Sequence, residues 1–481
     1  MSARITLLGS QDSRLREFLG SHPEGHERAA VVLFRRLHLD VPGLSASDRY
    51  IAVDVIPFEE SWIKSSSSEH VHFELAHLRE IFRRCDEEGL VFGFVHNHPQ
   101  GQGEFSGVDN TNEKTLISAI RNRNGPDVHF VGMLLANGEW FARVRDGSDV
   151  AKATTARHVI VLGERILLFG YECSEYDDDH LYSRQAAAFG QPFVDMLRSL
   201  RVAFVGGGGT GSPQATLLAR AGVGEIVVID RDTLEKSNLN RVRGAAVGDV
   251  GKNKAQVVRD FIAYLGLPVR VAAIEAFVDN DPVAVDALAS CDIVFGCTDD
   301  QIGREVLNTA LYIYAQAFID VGLGGKVVED DMGHARLRYH HGRISTILPE
   351  WGECLFCQGV ITMEWIQHQY ALRENPDLTE AEEKERYLQG GGEEAPGVGP
   401  FTGAVADYGV ATLFDLLRPF RCFPPELRRD SFTIDFVQMS LRSRERKNDG
   451  SCPFCGSRDY LVRNERCRLD RPILGKRNVY R

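Results

Sequence analysis

No stretch of this sequence approaches the ~20 consecutive apolar residues that a membrane-spanning helix needs. The opening Met-Ser-Ala-Arg-Ile-Thr-Leu-Leu holds no apolar run long enough for a signal peptide. No membrane partner and a cytoplasmic location are therefore expected. Positive charge is also short: 55 basic side chains face 68 acidic ones, a formal charge of −13. A nucleic-acid partner asks for a basic face that neutralises phosphates, so none is expected. Cysteine is sparse, at ten residues. In a reducing compartment thiols seldom pair as disulfides, and two Cys-x-x-Cys pairs among the ten suggest a metal instead. No internal repeat is visible.

What is present divides the chain in three. Domains usually run to about 100–200 residues, so 481 residues predict two or three cores. Residues 1–150 alternate short apolar runs, such as 29–34 and 90–95, with a helical segment near 73–87, an α+β pattern. Over 151–180 the pattern weakens and ends in the acidic run 175–179, which reads as a linker. From 181 to 481 strands alternate with helices in the βαβ rhythm of a parallel sheet. Within it, 373–396 is polar and acidic and reads as a crossover loop. The fold class is multidomain α/β, with an α+β domain first and a Rossmann-like domain second.

The segment 95–109 holds His96, His98, Ser106 and Asp109. Two histidines two positions apart at a strand end point to one side and can share an ion. An Asp from the following loop makes a third ligand, and three protein ligands plus water is a catalytic zinc arrangement. Ser106 can donate to an oxyanion. His-x-His, seven residues, Ser, two residues, Asp resembles the JAMM motif of the Mov34/MPN metallopeptidases. That resemblance implies cleavage of isopeptide or peptide bonds after the C-terminal glycine of ubiquitin-like proteins. It also implies an upstream general acid/base, here Glu27, with Glu24 close by. His22, His26, His70 and His72 read as solvated side chains.

A second set begins at 202–212. Gly206, Gly208 and Gly211 satisfy Gly-x-Gly-x-x-Gly, with Gly209 in the same loop, where small residues let a polyphosphate approach the backbone. The next strand ends in Asp230, suited to ribose hydroxyls. This pair alone fits a dinucleotide-binding dehydrogenase equally well. Asp232, Asn238, Arg241 and Lys254 follow, and cations there suit attack on the α-phosphate of ATP rather than hydride transfer. Asp299 ends a later strand at the same sheet edge and can bind Mg²⁺. The stretch 181–460 closely resembles the MoeB/ThiF family and the adenylation domain of ubiquitin-activating enzymes. The match implies ribose binding by Asp230, phosphate contacts by Asn238, Arg241 and Lys254, and magnesium on Asp299. Tyr182-Ser-Arg-Gln185 matches the family's opening segment, which implies that Arg184 reaches a partner subunit's site in a homodimer.

Cys354 and Cys357, with Cys452 and Cys455, form two chelating knuckles; four thiolates leave no open position, so this zinc is structural. The same pairs frame the zinc ribbon of MoeB/ThiF proteins. Many relatives place a nucleophilic cysteine in the crossover loop, yet Gly392–Pro400 here contains none. Cys422 is the remaining candidate nearby, and Cys297 reads as a packed small residue.

Together the two resemblances imply ATP-dependent adenylation of the C-terminal glycine of a ubiquitin-like protein. An attached zinc (iso)peptidase would process or deconjugate the same protein, in a bacterial ubiquitin-like conjugation pathway with a conjugating enzyme. The alternative is activation of a sulfur-carrier protein for thiocarboxylate formation in cofactor or amino-acid biosynthesis. A scaffold with two inactive sites is the third class. The implied cofactors are ATP, Mg²⁺, one catalytic Zn²⁺ and one structural Zn²⁺.

Overall fold

A computed structural model describes residues 2–171, 180–374 and 397–462, apart from 444, 446, 447, 449 and 459. The acidic run 175–179, Cys173, Cys467 and residues 375–396 of the expected crossover loop lie outside the described residues. The chain divides into two compact units, Met1–Asp40 with Ser45–Tyr176, and Val41–Leu44 with Asp177–Arg481. No helix among the described residues is long and apolar enough to cross a membrane.

The first unit contains β1 (Ser2–Leu8), β2 (Ala29–Leu39), β3 (Ser47–Pro57), β4 (Ile63–Ser66), β5 (Val71–Phe73), β6 (Val91–Asn97), β7 (His129–Ala136), β8 (Glu139–Asp146), β9 (Asp149–Leu162) and β10 (Ile166–Phe169). Its helices are α1 (Gly9–Leu19), α2 (Arg79–Glu88) and α3 (Gly107–Asn124). Eight strands form one sheet in the order β1-β3-β2-β6-β7-β8-β9-β10, and β4 pairs with β5 separately. β9 also pairs with β1, so the sheet curls back on itself. Ile5, Leu7, Val32, Phe34, Val95, Met133 and Trp140 lie in its apolar core. β6 runs through that core, and Gly93 is required there: a Cβ would sit 2.4 Å from the Phe34 ring.

Residues 151–180 differ from the expected linker, because β9 and β10 occupy much of that span. The first half of β9 is largely exposed and polar, whereas Val159, Ile160, Val161 and Leu162 are buried. A strand buried over half its length carries too short an alternation to stand out in the sequence.

The second unit contains β11 (Arg201–Val205), β12 (Glu225–Ile229), β13 (Arg270–Ile274), β14 (Ile293–Gly296), β15 (Ala317–Glu329), β16 (Ala335–Ile347), β17 (Ser431–Asp435) and β18 (Ser440–Arg442). Its helices are α4 (Ser183–Phe189), α5 (Gln191–Ser199), α6 (Gly211–Ala221), α7 (Lys254–Tyr264), α8 (Pro282–Ala289), α9 (Gln301–Ile313), α10 (Met363–Glu374) and α11 (Gly399–Leu417). The sheet order is β13-β12-β11-β14-β15-β16-β17-β18. β13 through β15 pair in parallel, and the rest antiparallel. β11 and β12 are buried along their whole length, as strands covered on both faces must be. Strand order reverses between β11 and β14. At such a switch point the loops leaving the two carboxyl ends part and open a crevice. Those two loops carry Gly206–Gly211 and Asp299.

Candidate active sites

In the first unit, His96 stands on β6 and His98 follows it, with the His98 N–H donating to the Leu135 carbonyl at 3.0 Å. Two residues apart in extended chain, both rings face one way. Their Nε2 atoms lie 3.3 Å apart. Asp109 Oδ1 is 3.0 Å from His96 Nε2, and Oδ2 is 3.4 Å from His98 Nε2. A tetrahedral zinc with ligands near 2.05 Å has ligand–ligand edges of about 3.3 Å, so this triangle has the size of a zinc face. His98 Nδ1 donates to the Gln102 carbonyl at 2.8 Å, which leaves its Nε2 lone pair facing the triangle.

Asp109 comes from the first turn of α3 and not, as expected, from a loop. Ser106 is the N-cap: its Oγ accepts the Asp109 N–H at 3.1 Å, and Asp109 Oδ2 accepts the Ser106 N–H at 2.6 Å. Burial opposes ionisation of Asp109, yet its hydrogen bonds to His96 and His98 hold the carboxyl well below the usual range. Glu27 reaches the cluster because Ala29 pairs with His96 across β2 and β6, which brings Glu27 level with His98. Its Oε1 is 3.8 Å from His98 Nε2. Glu27 is 2% exposed, and burial, opposed by the two histidines, pushes it up to about 6. Of the outer histidines, His22 stacks on His26 at 4.6 Å and His70 bonds Ser67 at 2.8 Å, so these are partly packed rather than simply solvated.

In the second unit the sulfurs of Cys354, Cys357, Cys452 and Cys455 all lie within 4.8 Å of one another. Cys354–Cys452 and Cys357–Cys455 are each separated by 3.6 Å. Zn–S bonds of 2.3 Å give tetrahedral edges of about 3.8 Å, so this donor set fits zinc as well.

The crevice at the switch point is built from backbone upward. Gly206 has φ +101°, and a Cβ there would lie 2.5 Å from the Cys297 carbonyl oxygen. A Cβ on Gly211 would lie 1.8 Å from the Gly206 carbonyl oxygen. Gly209 packs on Arg241, whereas a Cβ on Gly208 would meet nothing within 4 Å, so the loop is open at that point. Asp230 Oδ2 accepts the Gly207 N–H at 2.7 Å and Oδ1 the Asp232 N–H at 2.8 Å. Burial pushes the Asp230 carboxyl up. Asn253 donates to the carbonyls of Asp230 and Asp232, which brings Lys254, at the start of α7, against Asp232 Oδ2 at 3.0 Å. Asn238 is buried, and its Oδ1 accepts the Glu235 N–H. Arg241 Nη1 donates to the Ser237 carbonyl at 2.9 Å. Asp299 is exposed beyond β14 and pairs with no side chain among the described residues.

A sequence model described as the ThiF family matches residues 182–454. The chain belongs to the ThiF family. Among similar curated proteins is the SAMP-activating enzyme E1 of Haloferax volcanii, 33% identical over 34% of this chain and 54% of that protein. The sulfur carrier protein ThiS adenylyltransferase of Escherichia coli is 27% identical over 53% of this chain and 86% of that protein. The molybdopterin-synthase adenylyltransferase of Salmonella typhimurium is 33% identical over 27% of this chain and 53% of that protein. The chain thus spans about half the length of the first of these relatives. Of solved structures, that of E. coli MccB with succinimide covers 59% of this chain and 76% of its own, at 22% identity and a TM-score of 0.43.

In this ThiF-family chain Cys297 and Cys422, outside the knuckles, differ sharply. Cys297 donates to Gln214 Oε1 at 2.9 Å, and burial raises its thiol far above the ordinary value. Cys422 is exposed. Arg184 is exposed on α4 and has no partner among the described residues. Sequence reasoning missed Gln369 and Arg373 on α10, whose side chains reach the loop bearing Asp299. Their i, i+4 spacing was the available signal.

The close fit at Gly211 gives a direct test. Gly211→Ala forces the loop apart, a strain of about 1–3 kcal/mol, so ATP affinity by calorimetry is expected to fall about 10- to 100-fold. Unchanged affinity would remove this loop from nucleotide binding.

Proposed function

We propose that the second unit adenylates the C-terminal glycine of a small carrier protein, and that the carrier delivers sulfur. The observation that carries adenylation is the pairing of an open glycine loop with Arg241, Lys254 and the exposed Asp299 around one sheet crevice. Similarity to the sulfur carrier protein ThiS adenylyltransferase supports this sulfur-carrier alternative over conjugation. A carboxylate oxygen of the terminal glycine attacks the α-phosphorus of ATP; the bond to the β-bridging oxygen breaks and pyrophosphate leaves, giving an acyl adenylate. Asp230 holds the ribose, Asn238, Arg241 and Lys254 hold the phosphates, and Asp299 is the magnesium ligand. The cations stabilise charge that grows on the phosphates in the transition state. Arg184, exposed on α4, is proposed to complete the site of a second copy in a homodimer. The Cys₄ cluster is proposed to hold a structural zinc.

A second reading attaches to the first unit, on the His96–His98–Asp109 triangle: hydrolysis after the same terminal glycine. A zinc ion held by these three side chains would supply Lewis acidity and acidify water. Glu27 takes the proton of the attacking water and passes it to the leaving amine, a task suited to a carboxyl raised toward neutrality. The Ser106 hydroxyl, which accepts from Asp109, keeps its own proton for the oxyanion.

ATP–pyrophosphate exchange with purified glycine-ended carriers tests the main reading. Exchange that depends on one carrier, and not on free small acids, is the expected result. Bound ATP without exchange on any carrier would redirect the site to a small-molecule acid. A thiocarboxylated product separates sulfur delivery from conjugation.

A further inference from the structure

We propose that Gln369 and Arg373 are positioning residues that clasp the Asp299 loop and so set the magnesium end of the adenylation site; this rests on the reading of Asp299 given above. Gln369 Oε1 accepts the backbone N–H of Gln301 at 2.7 Å and of Ile302 at 3.2 Å. These open α9, where the first amides have no partner within the helix. The next amide, of Gly303, donates to Asp300 Oδ1 at 2.5 Å, with Asp300 as the N-cap. Thr298 also donates to Asp300. Three orphan donors are thus taken by side chains. A helix N-terminus filled this way offers little to a phosphate; what it does is fix the residues just before it.

Arg373 lies one turn beyond Gln369 on the same face of α10. Its Nη1 donates to Asp279 Oδ2 at 2.6 Å, and its Nη2 lies 3.5 Å from Asp300 Oδ1. Its guanidinium carbon sits 4.3 Å from the centroid of the Phe277 ring, and that of Arg231 sits 3.9 Å from the same ring. Arg231 follows Asp230 after β12, Phe277 and Asp279 follow β13, and Asp300 follows β14. One helix therefore ties together loops leaving β12, β13 and β14 at their carboxyl ends. Asp299 itself has no side-chain partner among the described residues. Its carboxylate is placed by its backbone, and its backbone is placed by this clasp.

Groups that orient a metal ligand from outside typically change metal affinity by about 10- to 100-fold when removed. The test uses Gln369→Ala and Arg373→Lys in the full chain. Both keep the local charge, so a changed magnesium requirement reports placement and not field. ATP binding is followed by calorimetry across a Mg²⁺ titration with no carrier present. Each variant is expected to need about tenfold more Mg²⁺ for half-maximal tightening of ATP, with magnesium-free ATP affinity unchanged. If Gln369→Ala fails to fold, Arg373→Lys carries the test alone. A wild-type magnesium requirement in the folded variants overturns the clasp. Loss of magnesium-free affinity as well overturns it too, since the residues would then support the whole crevice. A wild-type chain whose ATP binding ignores Mg²⁺ would instead overturn the Asp299 reading, and the clasp with it.

Discussion

Asp299→Asn is expected to lower ATP–pyrophosphate exchange by about 10²- to 10³-fold, the scale of losing one major charge contact in a transition state. The substitution keeps the side chain's size and removes only its charge. Asp299 is exposed and its side chain makes no hydrogen bond or ion pair among the described residues, so the loop has little reason to move. The neighbouring Asp300 is spent on α9, where it caps Gly303 and meets Arg373, and it is poorly placed to substitute. Magnesium-free ATP binding is expected to survive, because the glycine loop and Asp230 lie on other strands. Exchange within a few-fold of wild type would show that the metal is held elsewhere. Lost ATP binding without magnesium would show instead that Asp299 shapes the nucleotide pocket.

The nucleotide crevice was legible because its parts are short-range. Gly211 is forced by a contact of the loop with itself, at the Gly206 carbonyl, so the spacing is written locally, although Gly206 also abuts the distant Cys297. Asp230 is placed by the end of a strand that is apolar from Ile226 to Ile229, which the sequence displays directly. Lys254 was legible as a cation, but its approach to Asp232 depends on Asn253 bridging two carbonyls, a contact without a sequence signature. Of the clasp on α10, the sequence shows only the i, i+4 spacing of Gln369 and Arg373. The clasp joins residues 68 positions apart, through a side chain onto backbone amides, and only the folded sheet brings those ends together.

The first unit shows the same division. His96 and His98 follow from strand periodicity. The sequence marks Ser106 and Asp109 as two functional positions and places Asp109 in a loop. Their spacing of three is also that of an N-cap and the third helical residue, so one motif both starts α3 and presents the carboxylate. Glu27 needed a register: its nearness to His98 follows from the pairing of Ala29 with His96, which sequence alone does not state. The half-buried β9 reads as a linker in the sequence because its polar half masks its apolar half.

Removing one proposed ligand of the first site is expected to have the other large effect. His98→Ala is expected to lower bound zinc, by elemental analysis, from two equivalents per chain to one, leaving the Cys₄ zinc in place. Peptide hydrolysis after a terminal glycine is expected to fall below detection, since two remaining protein ligands no longer make the three-ligand face of a catalytic zinc. Exchange of pyrophosphate is expected to stay at the wild-type rate, because the crevice shares no residue with this cluster. Glu27→Gln separates metal from proton transfer. It keeps every ligand of the triangle, so zinc should remain at two equivalents while hydrolysis drops by about 10²- to 10⁴-fold. If Glu27→Gln also lost a zinc, the carboxylate would be a ligand rather than the base. If His98→Ala kept both, the short distances of 3.0–3.4 Å around Asp109 would describe a charged hydrogen-bond cluster with protonated histidines, and hydrolysis would have no site in this unit.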